Sequence, residues 1–536
     1  MCGIWAILQK FPSLNVYLNN INLIKSRGPD NTSIFINNNM IVAFNRLAIQ
    51  DLSNLGNQPF TYSNNNYNYL LIINGEIYNY KELQLEYNIE TISNSDCEFI
   101  LKLFIILNED INSLNNILLG EYAFLIIKEN YVSNVIQYWM SVDPFSVRPL
   151  FYSFNNNNIY ISSLVAGLSS ITTNIERLNQ GSFIQGTTDL LNFNYYSNNK
   201  YYIKSLPYYN TENNLLYKKI VKILTRSVNI RLNSDKSFGC LLSGGLDSSL
   251  IAAIAAKELE KTNSQLKTFS IGMKGGTDLI YAKKVAKHIN SIHTEFIFTK
   301  DEGINIIDDV IKCTETYDIT TIRASVGHFL LAKKISETTD IKVLLNGDGA
   351  DECQMGYLYF YLHPNINEAY KERNKLLDQI HYFDGLRVDR NISYHGMEAR
   401  LPYLDKNFVD LYNEIFPELL IPTNDRMEKF LIRKAFDTIE PDLLPNDILW
   451  RKKEAFSDGI SSEKDSWFEI LSKYYNNIDK ITELNNLSIP NEYYYYKMKF
   501  KEYYGNNEHL IPGYWMPNWS KTKDPSARTL NISSIS

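Results

Sequence analysis

The spacing of apolar residues changes character at about residue 213, and this change limits the possible folds more than any other feature. Before residue 213, short apolar segments alternate with Asn- and Gly-rich turns, a pattern typical of a mostly antiparallel sheet. These segments lie at residues 4–8, 34–36, 40–44, 69–73, 123–127, 135–141, 150–152 and 159–162. Helical patterns near 80–87 and 96–107 interrupt them, so we expect α and β layers packed together.

The second half of the chain alternates helical and strand patterns instead. In order, these are a helix from residue 213, a strand at 238–242, a helix at 247–260, a strand at 268–272 and a helix at 279–288. This order predicts a parallel, doubly wound sheet. From about residue 364 onward the pattern is mainly helical, so we expect a helical C-terminal part.

These two patterns predict two unlike domains. A chain of 536 residues is too long for one ordinary core, and it contains no internal repeat. We place the first domain at residues 2–186 and the second at 213–536. Residues 187–212 form a polar, Tyr- and Asn-rich stretch in which the periodicity fades, and we predict that they are the linker.

The composition excludes several classes of function. The net charge is −7 and no Lys/Arg block is present, so we expect no nucleic-acid partner. The sequence lacks an apolar run of about 18 residues or more and has no signal-peptide pattern, which predicts a cytoplasmic protein without a membrane partner. Its five cysteines include no CxxC pair, so neither a disulfide framework nor a zinc site is indicated.

Cys2 directly follows the initiator methionine. Methionine is normally removed before such a small residue, and its removal leaves a thiol and a free α-amine on Cys2. The amine titrates near pH ~8 and is able to accept the thiol proton, which produces the nucleophilic thiolate. For Cys2 alone, a chance cysteine is the simpler interpretation.

The motifs around Cys2 favour the catalytic interpretation. They are CGIW at 2–5, RGPD at 27–30, NRL at 45–47, NGEIYN at 74–79 and SD at 95–96. In this order they resemble the motifs of the class II glutamine amidotransferases, over roughly residues 2–183. The resemblance implies an N-terminal nucleophile domain with an αββα sandwich fold.

The resemblance also implies a role for each residue. Hydrolysis of a carboxamide passes through an oxyanion, and the Asn74 amide and the Gly75 N–H are implied as its hydrogen-bond donors. Arg46, Glu76 and Asp96 are implied as the charged groups that bind the carboxylate and ammonium of glutamine. The alternative for each charged residue is a surface ion pair of little energetic value.

A second site is predicted where the apolar strand 238–242 leads into Ser243-Gly244-Gly245-Leu246-Asp247-Ser248-Ser249 and then a helix. The turn and the helix N-terminus present N–H groups and a positive dipole end to an anion, so we expect a phosphate site. No Lys follows the glycines, which excludes the loop of kinases and GTPases. An ordinary Gly-Gly turn explains the two glycines but not all seven residues.

This loop resembles the PP-loop of ATP pyrophosphatases, which cleave ATP between the α and β phosphates. By that resemblance Asp247 and Asp351 hold Mg²⁺ on the departing pyrophosphate. Further motifs narrow the resemblance to the asparagine synthetase B family: FSIGM at 269–273, ETYDITTIRAS at 315–325, EARLPYLD at 398–405, MEK at 427–429, WRKKEAFSDG at 450–459 and DPSART at 524–529.

The family resemblance implies a set of ATP-binding residues: Leu241, Ser243, Gly244, Gly245, Asp247, Ser248, Ile271, Asn346, Gly347 and Lys453. Lys453 could instead be a solvated helix lysine, but its place in the WRKKEAFSDG motif favours a phosphate contact. Arg323 has a fixed guanidinium fork suited to a carboxylate, so we suggest it as an aspartate contact.

The main departure from the family lies at Asp348, where its members carry a glutamate implicated in forming the acyl-adenylate or in proton transfer from ammonia. Aspartate reaches about 1.5 Å less far, and a misplacement of about 1 Å can cost about a hundredfold in rate. Two smaller departures, Ser162-Ser163-Leu164 and Asn179-Gln180-Gly181, lie away from the nucleophile and affect only local packing.

The resemblance implies synthesis of asparagine from aspartate, Mg-ATP and glutamine through β-aspartyl-AMP. Ammonia released at Cys2 is expected to pass internally to the second site, and AMP, pyrophosphate and glutamate are the other products. The partners are small-molecule substrates, with a homodimer as a family expectation. Two alternatives stay open: another ligase on the same scaffold, and a non-catalytic glutamine or nucleotide sensor.

Overall fold

The structure is a computed structural model that describes residues 1–8, 11, 13–133, 135–155, 158–188, 195–202, 204–454, 459–461, 466–476 and 489–521. Residues 455–458 of the WRKKEAFSDG motif and the whole DPSART motif lie outside the described residues. No described helix is both long enough and apolar enough to span a bilayer.

The N-terminal region contains two six-stranded antiparallel sheets. One has the strand order β10-β8-β9-β1-β3-β2, and the other has the order β12-β11-β7-β6-β5-β4. The strands are β1 (Gly3–Leu8), β2 (Asn31–Ile36), β3 (Met40–Arg46), β4 (Phe60–Ser63), β5 (Tyr67–Ile77), β6 (Gly120–Asn130), β7 (Ile136–Val142), β8 (Phe151–Asn155), β9 (Asn158–Ser162), β10 (Glu176–Arg177), β11 (Ser182–Thr188) and β12 (Tyr195–Lys200).

Alternate residues of these strands belong to different cores, which shows how the two sheets stack. Ile4 and Ala6 of β1 share one buried cluster with Ile72 of β5 and Leu125 of β6, so these faces pack against each other. The next residue along β1, Trp5, belongs to a second cluster that includes helical residues. Successive side chains of a strand point to opposite faces, so the two sheets form a sandwich covered by helices. These helices are α1 (Leu18–Leu23), α2 (Tyr80–Glu86), α3 (Phe99–Ile106) and α4 (Ile111–Ile117).

The second region is built on a five-stranded parallel sheet with the order β15-β14-β13-β16-β17. Its strands are β13 (Phe238–Leu241), β14 (Lys267–Gly272), β15 (Ile292–Ile297), β16 (Val343–Leu345) and β17 (Glu398–Arg400). The helices are α5 (Asn214–Ile230), α6 (Leu246–Glu260), α7 (Thr277–His288), α8 (Lys300–Asn305), α9 (Ile307–Thr314), α10 (Ile319–Thr338), α11 (Ala350–Gln354), α12 (Ile366–Gln379), α13 (Asp384–Ser393), α14 (Lys406–Asn413), α15 (Pro417–Leu420), α16 (Phe430–Ile439), α17 (Asn446–Leu449), α18 (Trp467–Asn476) and α19 (Asn491–Tyr504).

The predicted fold class is therefore confirmed: an α/β sandwich of antiparallel sheets, then a parallel sheet, then helices. One element differs from the prediction within residues 187–212. Strand β12 lies there and pairs with β11, so part of the expected linker extends the second antiparallel sheet. Its polar Tyr/Ser/Asn sequence hides it from a search for apolar strands.

The two regions meet across buried opposite charges. Arg27 donates to Asp389 at 2.7 and 3.0 Å, and both side chains are at most 1% exposed. Glu121 of β6 accepts from Arg231 at 3.0 Å and from the backbone N–H of Leu401 at 3.0 Å. Arg148 donates to the carbonyl of Ala399 at 2.7 Å. Charges buried in this way are poorly screened by salt, so they hold the two regions in one fixed arrangement.

Candidate active sites

Cys2 lies at the start of β1, where Asn74 of the neighbouring sheet reaches it. The Cys2 backbone N–H donates to Asn74 Oδ1 at 2.7 Å, and the Leu47 N–H approaches Cys2 Sγ at 3.4 Å. The Asn74 Nδ2 is buried and has no hydrogen-bond partner among the described residues. A buried amide N–H normally finds an acceptor, so this donor is available for a ligand oxygen next to the thiol.

Gly75 supplies a second donor position next to Asn74, at a point where no side chain fits. Gly75 pairs with Tyr122 of β6, and a Cβ at this position would lie 2.6 Å from the Glu121 carbonyl oxygen and 2.7 Å from Tyr122 Cα. The close approach of the two strands therefore requires glycine. The absence of a side chain also leaves the Gly75 backbone accessible to a ligand.

Met1 fills a buried space beside Cys2 and is 1% exposed. Its Sδ lies 2.8 Å from Arg148 Nη1, and its amine lies 3.7 Å from Glu398. Burial raises the pKa of the Cys2 thiol and lowers the pKa of the Met1 amine. The chain with Met1 in place thus holds a protonated, poorly nucleophilic thiol, as expected before methionine removal.

Two acidic side chains, Glu76 and Asp96, meet near Cys2. Burial, and next the negative charge of Asp96, raise the pKa of Glu76 well above its usual range. Burial raises the pKa of Asp96 to about 6, although it accepts from the Ile77 N–H at 2.7 Å. Arg400 lies 3.1 Å from Glu76. Two buried carboxyls with raised pKa values form a site that favours a cation such as an α-ammonium group.

Arg46 is fixed by the loop that follows it. Its guanidinium donates to the Ser53 carbonyl at 2.7 Å, to Asn57 Oδ1 at 2.9 Å and also to the Gln50 and Asp51 carbonyls. These contacts leave Arg46 6% exposed and orient its charge. The structure therefore gives Arg46 a role in holding the loop, whatever it binds in addition.

The phosphate loop joins β13 to α6 as the sequence predicted. Gly244 has φ +75°, and a Cβ there would lie 2.5 Å from the Cβ of Tyr281 on α7. Ser243 and Ser248 bring their Oγ atoms within 3.0 Å of each other across the turn. The N-terminus of α6 follows directly, so its N–H groups face the space that the loop encloses.

One cavity collects nearly all of the predicted ATP residues. It is lined by Leu241, Ser243, Gly245, Asp247, Ser248, Ile271, Asn346, Gly347, Asp348, Asp351 and Lys453, together with Lys429 and other neighbours. Gly244 does not line the cavity, because its place in the turn faces α7. Residues that are up to 212 positions apart in the chain are thus assembled at the carboxyl ends of β13, β14 and β16.

Asp247 and Asp351 lie close enough to share one cation. The Lys429 ammonium binds both, at 2.5 and 2.6 Å, and Lys453 also pairs with Asp351. Burial opposes ionisation of Asp351, but the two ammonium groups outweigh it and lower its pKa to about 2. A pair of carboxyl groups facing a phosphate loop fits the one or two carboxylates that Mg²⁺ takes beside phosphate oxygens.

Asp348 belongs to a buried network beside this cavity. Arg387 donates to Asp348 Oδ1 at 2.9 Å and also pairs with Asp384. Tyr357 donates to Asp384 at 3.1 Å and to Glu352. Burial raises the pKa of Asp348 to about 6, and its Oδ2 has no partner among the described residues. The network thus contains one guanidinium, one unpartnered carboxylate oxygen and two further acids.

Comparisons with known proteins cover the whole of this arrangement. A glutamine amidotransferase domain model matches residues 1–211, and an asparagine synthase model matches residues 219–379 and 375–523. A probable asparagine synthetase [glutamine-hydrolyzing] of Acanthamoeba polyphaga mimivirus is 38% identical over 565 residues, which cover 99% of this chain and 100% of that protein. The chain belongs to the glutamine-hydrolysing asparagine synthetase family.

Other family members agree with this assignment. The Homo sapiens asparagine synthetase [glutamine-hydrolyzing] is 37% identical over 568 residues, covering 99% of this chain and 98% of that protein. The family and enzyme class predicted from the motifs are confirmed, and the chain is an ATP-using ligase. A solved structure of the allosteric regulatory enzyme of purine biosynthesis matches at 15% identity over 55% of this chain and 80% of that chain. Its TM-score of 0.32 is too low for a structural comparison.

Among the site residues predicted for this synthetase family member, Arg323 is the one that the structure separates from its site. It pairs with Glu492 of α19, lies 4.7 Å from the ring centroid of Phe468, and does not line the cavity. Arg387, by contrast, contacts Asp348, which does line the cavity. The suggested aspartate contact therefore lacks geometric support, because α10 directs Arg323 toward the C-terminal helices.

The sequence analysis missed five residues of this synthetase site: Glu352, Tyr357, Asp384, Arg387 and Lys429. Lys429 lies in the MEK motif at 427–429, and Glu352 directly follows the predicted metal ligand Asp351, so a charge count in these stretches could have found them. Asp384 and Arg387 lie three residues apart on α13, a spacing that usually marks an ordinary helix ion pair. No sequence signal separated this pair from a surface one.

Proposed function

We propose that this chain makes asparagine in two linked sites, with glutamine hydrolysed at Cys2 and aspartate activated by ATP at the PP-loop. The observation that carries the proposal is the buried, unpartnered Asn74 amide beside the Cys2 thiol, in the same chain as the phosphate cavity. We assign the first site to residues 2–186 and the second to residues 213–536.

In the first site, the Cys2 thiolate attacks the side-chain amide carbon of glutamine once Met1 has been removed. The Asn74 Nδ2 and the Gly75 N–H stabilise the oxyanion, and the nitrogen leaves as ammonia after it receives a proton. Water then hydrolyses the thioester to glutamate. Glu76 and Asp96 bind the α-ammonium group, and Arg46, oriented by its loop, binds the α-carboxylate.

In the second site, the N-terminus of α6 and the ammonium groups of Lys429 and Lys453 bind the phosphates of ATP. Asp247 and Asp351 would hold Mg²⁺, which would neutralise charge on the departing pyrophosphate. Lys429 must then exchange its carboxylate contacts for phosphate oxygens. The aspartate β-carboxylate attacks the α-phosphorus and gives β-aspartyl-AMP and pyrophosphate.

We assign aspartate recognition to the network around Arg387 and Asp384 of α13. Arg387 presents a buried guanidinium to the α-carboxylate, and Asp384 with Glu352 presents acids to the α-ammonium group. Asp348, with one oxygen unpartnered, takes the proton that ammonia loses when it displaces AMP. Arg387 thereby replaces Arg323 as the proposed aspartate contact.

The route of ammonia follows β17. This strand carries Glu398, which lies 3.7 Å from the Met1 amine, and the Arg400 carbonyl accepts from the Asn346 N–H at 3.0 Å. Removal of Met1 leaves a space between Cys2 and this strand. Passage through a buried space keeps ammonia from being protonated in bulk water.

The test measures asparagine and pyrophosphate formed from aspartate and Mg-ATP, with glutamine or ammonium supplied in parallel. We expect asparagine from both donors, and a Cys2→Ala variant that loses only the glutamine route. Glutamate without asparagine or pyrophosphate from either donor would overturn the proposed synthetase reaction, with Asp348 as the first suspect, whereas binding of glutamine or ATP without any turnover would favour the sensor.

A further inference from the structure

Arg400 touches both sites at once. Its backbone carbonyl accepts from the N–H of Asn346 at 3.0 Å, and the next two residues along the chain, Gly347 and Asp348, line the synthetase cavity. Its side chain is completely buried and lies 3.1 Å from Glu76 of the glutamine site. One residue therefore connects the two active sites without any intervening side chain.

The other contacts of Arg400 hold it at the junction. Its Nε donates to Glu398 at 2.8 Å, and its Nη1 donates to the backbone carbonyls of Arg231 at 2.8 Å and Asn233 at 2.6 Å. Glu398 thus offers a second carboxylate when Glu76 is engaged elsewhere. A guanidinium has several N–H donors, so it can shift hydrogen bonds from one carboxylate to the other while it stays in contact with both.

The α-ammonium group of glutamine competes for the same carboxylate. In the proposed glutamine site it binds Glu76 and Asp96, which brings a second cation to the carboxylate that Arg400 already faces. Two cations at such a distance repel in a buried site, so the Glu76–Arg400 contact weakens and Arg400 relies more on Glu398. The Arg400 backbone, and the Asn346 N–H bonded to it, must respond to this change.

We propose that Arg400 is a positioning residue that couples occupancy of the glutamine site to the binding of substrates in the synthetase cavity. The inference rests on the proposed function. Because such coupling is reciprocal, glutamine changes the affinity for aspartate and ATP by the same factor that these substrates change the affinity for glutamine. We expect a factor of about 5 or more, within the usual range for coupled sites.

The experiment uses the full chain with Cys2→Ala, which binds glutamine without hydrolysing it. Aspartate-dependent exchange of pyrophosphate into ATP needs no nitrogen donor and checks that the synthetase site is active. Calorimetric titration with aspartate beside a non-hydrolysable Mg-ATP analogue, with and without saturating glutamine, gives the first coupling factor, and titration with glutamine beside the same analogue, with and without aspartate, gives the reciprocal factor. In the Cys2→Ala protein both factors should differ from one and agree with each other.

Arg400→Lys is the deciding variant, because one ammonium cannot serve Glu76, Glu398 and two carbonyls together. Its coupling factor should fall to one while pyrophosphate exchange continues. Arg231→Lys is the matched control, since Arg231 also crosses the junction, to Glu121, but does not contact Glu76. It should keep the full coupling factor.

Three results would overturn the inference: a factor of one with Arg400 present, an unchanged factor in Arg400→Lys, or an equal loss in Arg231→Lys. Absence of any exchange in the Cys2→Ala protein would instead count against the proposed function. If Arg400→Lys does not fold, Glu398→Gln replaces it. That variant removes the second carboxylate of Arg400, so the affinity for glutamine should fall about 5-fold or more, and unchanged affinity would contradict the inference.

Discussion

The neighbours of Asp348 fix the position of its short side chain. Arg387 binds Asp348 Oδ1 at 2.9 Å and is itself held by Asp384, so the carboxylate is oriented even though it is one methylene shorter than glutamate. Asp348 lines the cavity, and its second oxygen is buried without a partner among the described residues. This geometry favours a working carboxylate over a disabled one.

We therefore predict that Asp348→Asn lowers ammonia-dependent asparagine formation about 100-fold, since the amide cannot take a proton. Burial raises the pKa of Asp348 to about 6, so the reaction should lose rate as the pH falls through about 6 and the carboxylate protonates. The measurement is the rate at each pH with free ammonia held constant. An unchanged pH profile in Asp348→Asn would show that another group titrates.

Asn74→Ala tests the oxyanion site. Loss of one such donor typically costs about 10²–10³ in kcat, and glutaminase activity should fall by that amount while ammonia-dependent synthesis stays intact. Asn115→Ala is the control, because Asn115 is also buried with an unpartnered Nδ2 but lies on α4, away from Cys2. Equal loss of glutaminase activity in both variants would indicate general destabilisation.

Sequence motifs pointed to some residues of the candidate sites and gave no indication of others. Cys2, Asn74 and the PP-loop residues lie in motifs with fixed neighbours along the chain, so the sequence alone was enough to propose them. Arg323 was assigned to aspartate on its guanidinium alone, and Arg387 was missed. Which of the two arginines contacts Asp348 at the cavity depends on how helices α10 and α13 pack, and local sequence does not specify it.

At the scale of elements, we expect alanine to destabilise the chain more at one of the two adjacent loop glycines than at the other. Gly244 needs a positive φ and meets α7, so Gly244→Ala should lower the free energy of unfolding by about 3 kcal/mol and abolish pyrophosphate exchange. A Cβ at Gly245 meets only Ser243 Oγ at 3.3 Å, so Gly245→Ala should change stability by less than about 1 kcal/mol. Denaturant unfolding of both variants makes the comparison, and equal stability would contradict it.

Two of the strands that the sequence analysis missed, β12 and β17, carry little sequence signal. β17 has three residues and lies in a part of the chain with a mainly helical pattern, and β12 is polar. Three residues are too few to show a period of two, and a polar edge strand shows no apolar alternation. Both strands exist because a neighbouring strand supplies their hydrogen bonds.

For the whole molecule, the junction should depend on Asp389. Asp389→Ala leaves Arg27, Arg148 and Arg390 without this carboxylate, and we expect a loss of about 3 to 5 kcal/mol in the free energy of unfolding. Asp447→Ala removes a half-exposed pair with Lys284 and should cost less than about 1 kcal/mol. Chemical denaturation of the two variants in parallel measures both losses in the free energy of unfolding.

The pH dependence of the contact between Asp389 and Arg27 follows from the charge of the Asp389 carboxylate. Burial disfavours the Asp389 carboxylate, but Arg27 and its neighbours outweigh this effect and lower its pKa to about 2. The carboxylate therefore stabilises the folded chain above pH ~4, and this contribution is lost as the pH falls toward 2. In Asp389→Ala that part of the acid transition should be absent, which acid titration followed by circular dichroism would detect.

The contacts of Arg148 with the Ala399 carbonyl and of Glu121 with the Leu401 N–H have a consequence for solubility. β17 is the outermost strand of the parallel sheet, and these two backbone groups are among those that point away from β16. An uncovered strand of this kind is a template for intermolecular β-pairing. The amidotransferase half thus covers the edge strand β17 of the synthetase half. A synthetase half produced alone would expose this edge to intermolecular β-pairing and aggregation.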